Sequence, residues 1–243
     1  MSKDETELLN ALKHAEVATT SFALAGYQHA GDPAIYTVEI PFGTGIAAWR
    51  RLRTITPAVG YWPILGWVYL PSPTESEASS EIIAEGLTID ARDWFEHNQL
   101  DVVIKAEQRT DDHGVSPLAF HIPTRLTADN TPSPSATTIT FAPTTVSWEV
   151  PAYLRKTEHT QPPHVHVAIH KYWNERWGSE LVGWDASTAE CATARPPRTV
   201  EDALPLAQQQ YNYCPDLVSQ NVGSVSNLAR LLVNCPIWWF WWD

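Results

Sequence analysis

The residues whose types and spacing could do chemistry gather in the second half of the chain. The densest group is Pro163-His164-Val165-His166-Val167-Ala168-Ile169-His170, with His159 just before it. On a helix, His166 and His170 are four residues apart and would present two imidazoles on one face, as zinc-binding helices do. No Glu stands between them in the H-E-x-x-H manner, so the general base of a metalloprotease is missing. We therefore read them as surface histidines at a helix start, with His166 capping or bonding a backbone group, and expect no structural metal. Cys214 lies in Tyr213-Cys214-Pro215-Asp216. A nucleophilic thiol needs a nearby cation or a helix N-terminus, whereas this one falls near a helix C-terminus, where the dipole disfavours a thiolate. It reads as a packed thiol, Asp216 as a turn or capping acid, and Gln220 as a group bonding nearby backbone. With Glu180, Glu190 and Tyr213, these leave His166, Glu180, Glu190, Tyr213, Asp216 and Gln220 as candidates for binding a ligand or partner. No catalytic set stands out. Gly43-Thr44-Gly45 lacks the third Gly and the Lys-Ser/Thr ending of phosphate loops, and no G-x-S-x-G elbow occurs, so no cofactor is expected.

The elements that must position these residues follow from periodicity. Leu8, Leu9 and Leu12 predict a short helix over 5–17, and Ile35, Tyr36, Val38 and Ile40 a strand over 34–40. Gly45–Thr54 reads as helix, Tyr61–Leu70 as a buried strand, and Asp90–Gln108 as a capped helix running into a strand. Thr127–Thr138, rich in turn formers, reads as a linker or surface loop between a mixed part (1–126) and a second part (139–243). There the pattern predicts a strand over Thr145–Tyr153, a helix over His164–Trp177 closed by Gly178, and two short strands flanking Asp185–Ala189. Pro196-Pro197 ends that pairing, because neither residue donates to a ladder. Thr199 starts a helix reaching Tyr213, Ser224–Val233 forms another, and Ile237–Trp242 is an aromatic strand. The fold class is α+β: a β-α-β-β-α-α-β sheet with helices packed on it, preceded by a mixed α/β part.

Twelve Trp occur, four of them among the last six residues. In a strand, Trp238, Phe240 and Trp242 share one face and Trp239 and Trp241 the other. Both faces then need covering, one by the helices, the other by the first half or a partner. The preferred reading is a sheet core rather than a ligand-stacking surface.

Three pieces of the second half, HVAIHKYWNERWGSELVGW (166–184), ARPPRTVEDALPLAQQQYNYCPDLV (194–218) and IWWFWWD (237–243), resemble a bacterial family known as a domain of unknown function, DUF4253. The likeness covers about the last hundred residues. It departs from the family pattern at Gln209, where Glu is expected, and at Asn221, where Gly is expected. The family implies no activity.

Charge narrows the partner. The chain has 28 acids against 16 bases, a net charge of −12. Residues 1–130 hold 18 acids and 9 bases, whereas 131–243 hold 10 and 7. That balance disfavours nucleic acid and anionic membrane surfaces, which need clustered Lys and Arg. No apolar run is long enough to span a bilayer, and the polar start, MSKDETELLN, has no leader pattern. The three Cys are scattered, which suggests no disulfide framework. A cytoplasmic location is expected. Two functions remain: an acidic interaction protein, immunity-type or regulatory, whose partner is a basic protein; or an enzyme or small-ligand binder with an aromatic cleft between the two parts.

Overall fold

The computed structural model describes residues 2–67, 77–100, 118–155 and 160–243. Seven strands form one sheet in the order β1-β2-β4-β3-β5-β6-β7. They are β1 (Ser21–Gly26), β2 (Ile35–Glu39), β3 (Trp62–Leu65), β4 (Thr138–Ala142), β5 (Ser179–Trp184), β6 (Thr188–Thr193) and β7 (Ile237–Trp241). All neighbours pair antiparallel except β3 and β5, which run parallel with Leu65 opposite Gly183. The helices are α1 (Lys3–His14), α2 (Gly45–Leu52), α3 (Ser79–Thr88), α4 (Ala91–His97), α5 (Pro134–Thr137), α6 (Val150–Tyr153), α7 (Pro163–Trp177), α8 (Val200–Tyr213) and α9 (Val225–Leu232). Mixed strand directions with helices on the sheet make this an α+β fold; from β4 onward the order is the expected β-α-β-β-α-α-β with the single-turn α6 added and with β4 standing in for the strand expected at 145–153.

Local chemistry sets most boundaries. Ser2, Asp90, Thr199 and Ser224 each accept a backbone N–H at a helix start, removing one of the donors a helix leaves unpaired. At the end of α7, Gly178 takes a left-handed conformation with φ 65°, which a residue lacking Cβ adopts without strain. Gly66 has φ 135° and lies so close to the Trp184 carbonyl that any side chain there would collide with it. This absent side chain lets β3 run against β5. Strands from the first 126 residues (β1, β2, β3) and from 138 onward (β4 to β7) thus share one ladder and one continuous apolar core.

One predicted element is wrong. Thr145–Tyr153 is not a strand: Ser147–Glu149 forms a 3-10 turn and Val150–Tyr153 the single-turn α6. Pro151 has no N–H to give a ladder and suits a first helical turn. Thr144 accepts the Val146 N–H at 3.2 Å and donates to Glu149 at 2.6 Å, which closes a turn where alternation suggested extension. The strand lies just upstream, at β4, buried along its whole length. Within 127–138, the end of the expected loop folds as α5, with Ser135 and Ala136 buried. Val103 and Ile104 of the 90–108 reading, residues 68–70 of the strand at 61–70, and His159 lie outside the described residues.

Candidate functional site

β7 divides its aromatic rings between two environments. Trp238, Phe240 and Trp242 face α7 and α8 and are 0%, 0% and 4% exposed. Phe240 stacks on Trp173 at 5.4 Å between centroids, and Tyr213 meets Phe240 and Trp242 edge-on at 5.2 and 5.3 Å. Such edge-to-face contacts suit the ring quadrupole. Inside this aromatic shell lie His166 and His170, 1% and 3% exposed. They are not surface histidines: α7 is buried along Val165–His170 and at Trp173, so both imidazoles turn into the core.

Their polar atoms converge on one phenol. His166 Nδ1 lies 2.6 Å from the Tyr213 hydroxyl, and His170 Nε2 lies 3.0 Å from the same oxygen. Burial pushes the Tyr213 phenol well above its ordinary range, with Cys191 and Cys214 adding to the shift, so the hydroxyl keeps its single proton. That proton goes to one imidazole, and the other imidazole must donate to the oxygen. The shorter contact fits O–H to His166 Nδ1, and the 3.0 Å contact fits N–H donation from His170 Nε2. His166 Nε2 then carries a proton and lies 3.4 Å from Thr160 Oγ1. His170 Nδ1 is bare and faces Cys191 Sγ at 3.9 Å. Burial pushes the Cys191 thiol up to about 12, which keeps it as a thiol able to donate. The group is a directional chain: Cys191, His170, Tyr213, His166, Thr160.

Among the described residues, the other face of the same strands is open. β6 and β7 pair Thr188 with Trp241 and Glu190 with Trp239, and strand alternation turns these four away from α7. Thr188, Trp239 and Trp241, with His121, Thr124 and Arg125 from the 3-10 turn Ile122–Thr124 and its flanks, line a recess of about 480 Å³ that opens widely to solvent. The His121 ring lies 4.6 Å from Trp239. Arg125 pairs with the buried Asp185 carboxylate and donates to Thr188 Oγ1 at 3.3 Å. Asp185 in turn accepts the Thr188 N–H at 3.0 Å. Burial lowers the His121 pKa from its ordinary 6.5, with Arg125 adding to the shift, which favours neutral imidazole at neutral pH.

The six sequence candidates do not form one site. His166 and Tyr213 belong to the buried network. Glu180 lies on the opposite sheet face, paired with Arg53 at 2.5 Å, whose guanidinium also sits 5.5 Å from the Trp49 ring centre. Glu190 is fully buried beneath the recess wall, where Oε1 accepts the N–H groups of His121 and Ile122. Asp216 accepts from Gln220 Nε2 at 2.9 Å and from the Asp243 N–H at 3.2 Å. Gln220 thus bonds a side chain rather than backbone, and Asp216 does accept a backbone N–H. Cys214 is fully buried, with Sγ 3.0 Å from the Trp241 carbonyl. Sequence reasoning missed His121, Thr124, Arg125 and Thr188; the only signal was that period-two alternation turns Trp239 and Trp241 away from the helices.

Among the described residues, no group of three or more His, Cys, Asp or Glu side chains is placed to hold a metal ion. No helix among them is long and apolar enough to cross a membrane. Gln209, where the family pattern has Glu, accepts from the Trp173 indole at 3.2 Å and donates to the Tyr172 hydroxyl at 3.4 Å. It is a packing contact between α8 and α7. No match to the chain was found among curated proteins or among solved structures. Residues 138–243, which carry β4 to β7, the whole Cys191–Thr160 chain and the β6–β7 side of the recess, match the family model described as Domain of unknown function (DUF4253), in agreement with the resemblance carried by 166–243.

Proposed function

We propose that this is a binding protein for a basic protein partner, and that the β6–β7 recess seats one projecting side chain of that partner. The observation that carries this reading is the open aromatic recess itself, with two half-buried Trp rings on its floor. Sites for small molecules enclose most of the ligand's surface. A wide, shallow recess with Trp and Arg suits instead the anchor residue of a protein interface. The net charge of −12 favours a basic partner. Arg125 does not oppose this, because Asp185 already neutralises it. A Lys or Arg from the partner would lie over an indole face, a contact of about 0.5–2 kcal/mol.

The test is capture from the source cell at low salt, identification of what is held, and rate measurements on that pair. The on-rate should fall steeply with salt while the off-rate changes little, because the field acts on encounter and packing sets dissociation. Trp241→Ala should raise the off-rate. The acids of α1, the exposed Asp4 and the half-buried Glu5 and Glu7, are candidates for the steering field; reversing several together should slow association. A metabolite that raises the melting temperature, with no protein held at low salt, would overturn the reading.

A further inference from the structure

Glu190 is the one carboxylate of the six candidates with no exposure at all. Its Oε1 accepts the N–H groups of His121 and of Ile122, the latter at 2.9 Å, from a segment 68 and 69 residues away in sequence. Its Oε2 is buried with no hydrogen-bond partner. The space beside Oε2 exists because residue 183 is glycine: a Cβ there would lie 3.2 Å from Oε2 and 2.6 Å from Ile122 Cδ1. The Ile122 side chain therefore lies over Gly183 and roofs the carboxyl group. The same short segment carries His121 and Thr124, and with Arg125 it forms one side of the recess.

We propose that Glu190 is a proton-linked latch on the His121–Thr124 wall of the recess: lifting the wall uncovers the carboxyl group, so loosening of the wall and loss of the Glu190 proton are one coupled event. With the wall down, burial raises the Glu190 pKa from 4.5 to about 7, against the opposing pull of the Ile122 and His121 N–H groups and of Arg125, while Asp185 adds to the rise. With the wall lifted, water reaches the carboxyl and its affinity for a proton returns toward that of an ordinary Glu. A state that binds a proton more tightly is favoured by protons. The wall is thus held down at mildly acidic pH and loosens as Glu190 ionises. The groups facing Glu190 are Arg125 and His121 from the wall and Asp185 at the end of β5; Gly183 on β5 and Trp239 on β7 do not titrate, and Cys191 turns to the opposite face as a thiol. His121 acts in the other sense, since its pKa is lowered with the wall down, so its protonation at lower pH works to lift the wall.

The latch is intramolecular; only its consequence for binding rests on the recess reading, as regulation of that site. The test is amide hydrogen exchange at His121 and Ile122 in the full chain, corrected for the intrinsic pH dependence of exchange. Protection should fall by up to about tenfold per pH unit between roughly pH 5 and 7 and level off above, as expected for one linked proton. In Glu190→Gln this slope should vanish while amides in the β5–β6 ladder stay protected. Should that variant fail to fold, carbon-13 titration of the wild-type Glu190 carboxyl decides the matter. A midpoint near 7 that tracks the exchange supports the latch, and an ordinary Glu midpoint, or protection independent of pH, overturns it. Because the readout needs no partner, a latch that works in a chain that holds no basic protein would sink the binding reading alone.

Discussion

Two faces of β7 carry the same residue types to opposite ends. Toward α7 and α8, Trp238, Phe240 and Trp242 are closed off from water; away from them, Trp239 and Trp241 stay half-buried and form the floor of a recess. Composition does not distinguish the faces. Among the described residues, what separates them is the covering element: a fifteen-residue helix on one side, and on the other a single 3-10 turn anchored through the backbone N–H groups of two residues to Glu190. An aromatic strand becomes core where a long element lies against it and becomes a surface where only a short one does.

The comparison breaks most directly at the chain end. Deleting residues 238–243 should abolish folding, since each large side chain gains about 1.5–3 kcal/mol on burial. Recovery of a folded chain with an unchanged melting temperature would refute this. Trp238→Ala and Phe240→Ala should each cost about 3–5 kcal/mol in urea unfolding, because both leave cavities in a closed shell. Next comes pH. The folded Glu190 holds its proton to about 7, whereas the unfolded group releases it near 4.5. Folding then takes up a proton within that window, and stability falls as pH rises through it, by on the order of 3 kcal/mol, and is flat above. Asp129, held down to about 2 by its bonds with Thr127 and Thr131, titrates below the window and does not disturb it. Unfolding curves from pH 4 to 8 for the wild type and Glu190→Gln should differ in this slope.

A smaller effect is expected at Tyr213→Phe. It removes the hydroxyl shared by His166 and His170 and leaves two buried ring nitrogens without it, at about 1–3 kcal/mol. Nitrogen-15 spectra of the wild-type imidazoles should show the Nε2–H tautomer in both rings, so that the nitrogen facing Tyr213 is bare in His166 (Nδ1) and protonated in His170 (Nε2). An Nδ1–H tautomer at either ring would break the directional chain. The smallest effect is expected on the open face: Trp241→Ala should change stability by less than about 1 kcal/mol. If it costs as much as Trp238→Ala, the two faces are not different in kind.

The elements legible from sequence were those with local signals. Gly178, Thr199 and Ser224 mark their helix ends within one or two residues, and the Asp185–Ser187 turn sits between two alternating segments. The strand placed at 145–153 failed because alternation alone cannot see Thr144 and Glu149 closing a turn. The histidines were misplaced for a related reason. A polar residue on a helix reads as exposed unless its partner is known, and Tyr213 lies 47 and 43 residues from His166 and His170. The recess was the least legible feature. Its wall is tied to β6 through backbone N–H groups of His121 and Ile122, which leave no trace in residue type. Only the carboxylate that receives them, Glu190, was singled out, and for no reason that foresaw its partners.

The parallel pairing of β3 with β5 has a consequence for how such a chain can be divided. Within 138–243, β4 does not touch β5: Trp62–Leu65 lies between them, bonded to β4 on one edge and to β5 on the other. A gene cut at residue 138 would encode four strands with a vacant lane one strand wide. The lane could be filled only by an extended segment supplied from elsewhere, and adding back a peptide that spans residues 56–67 is the simplest complementation to try.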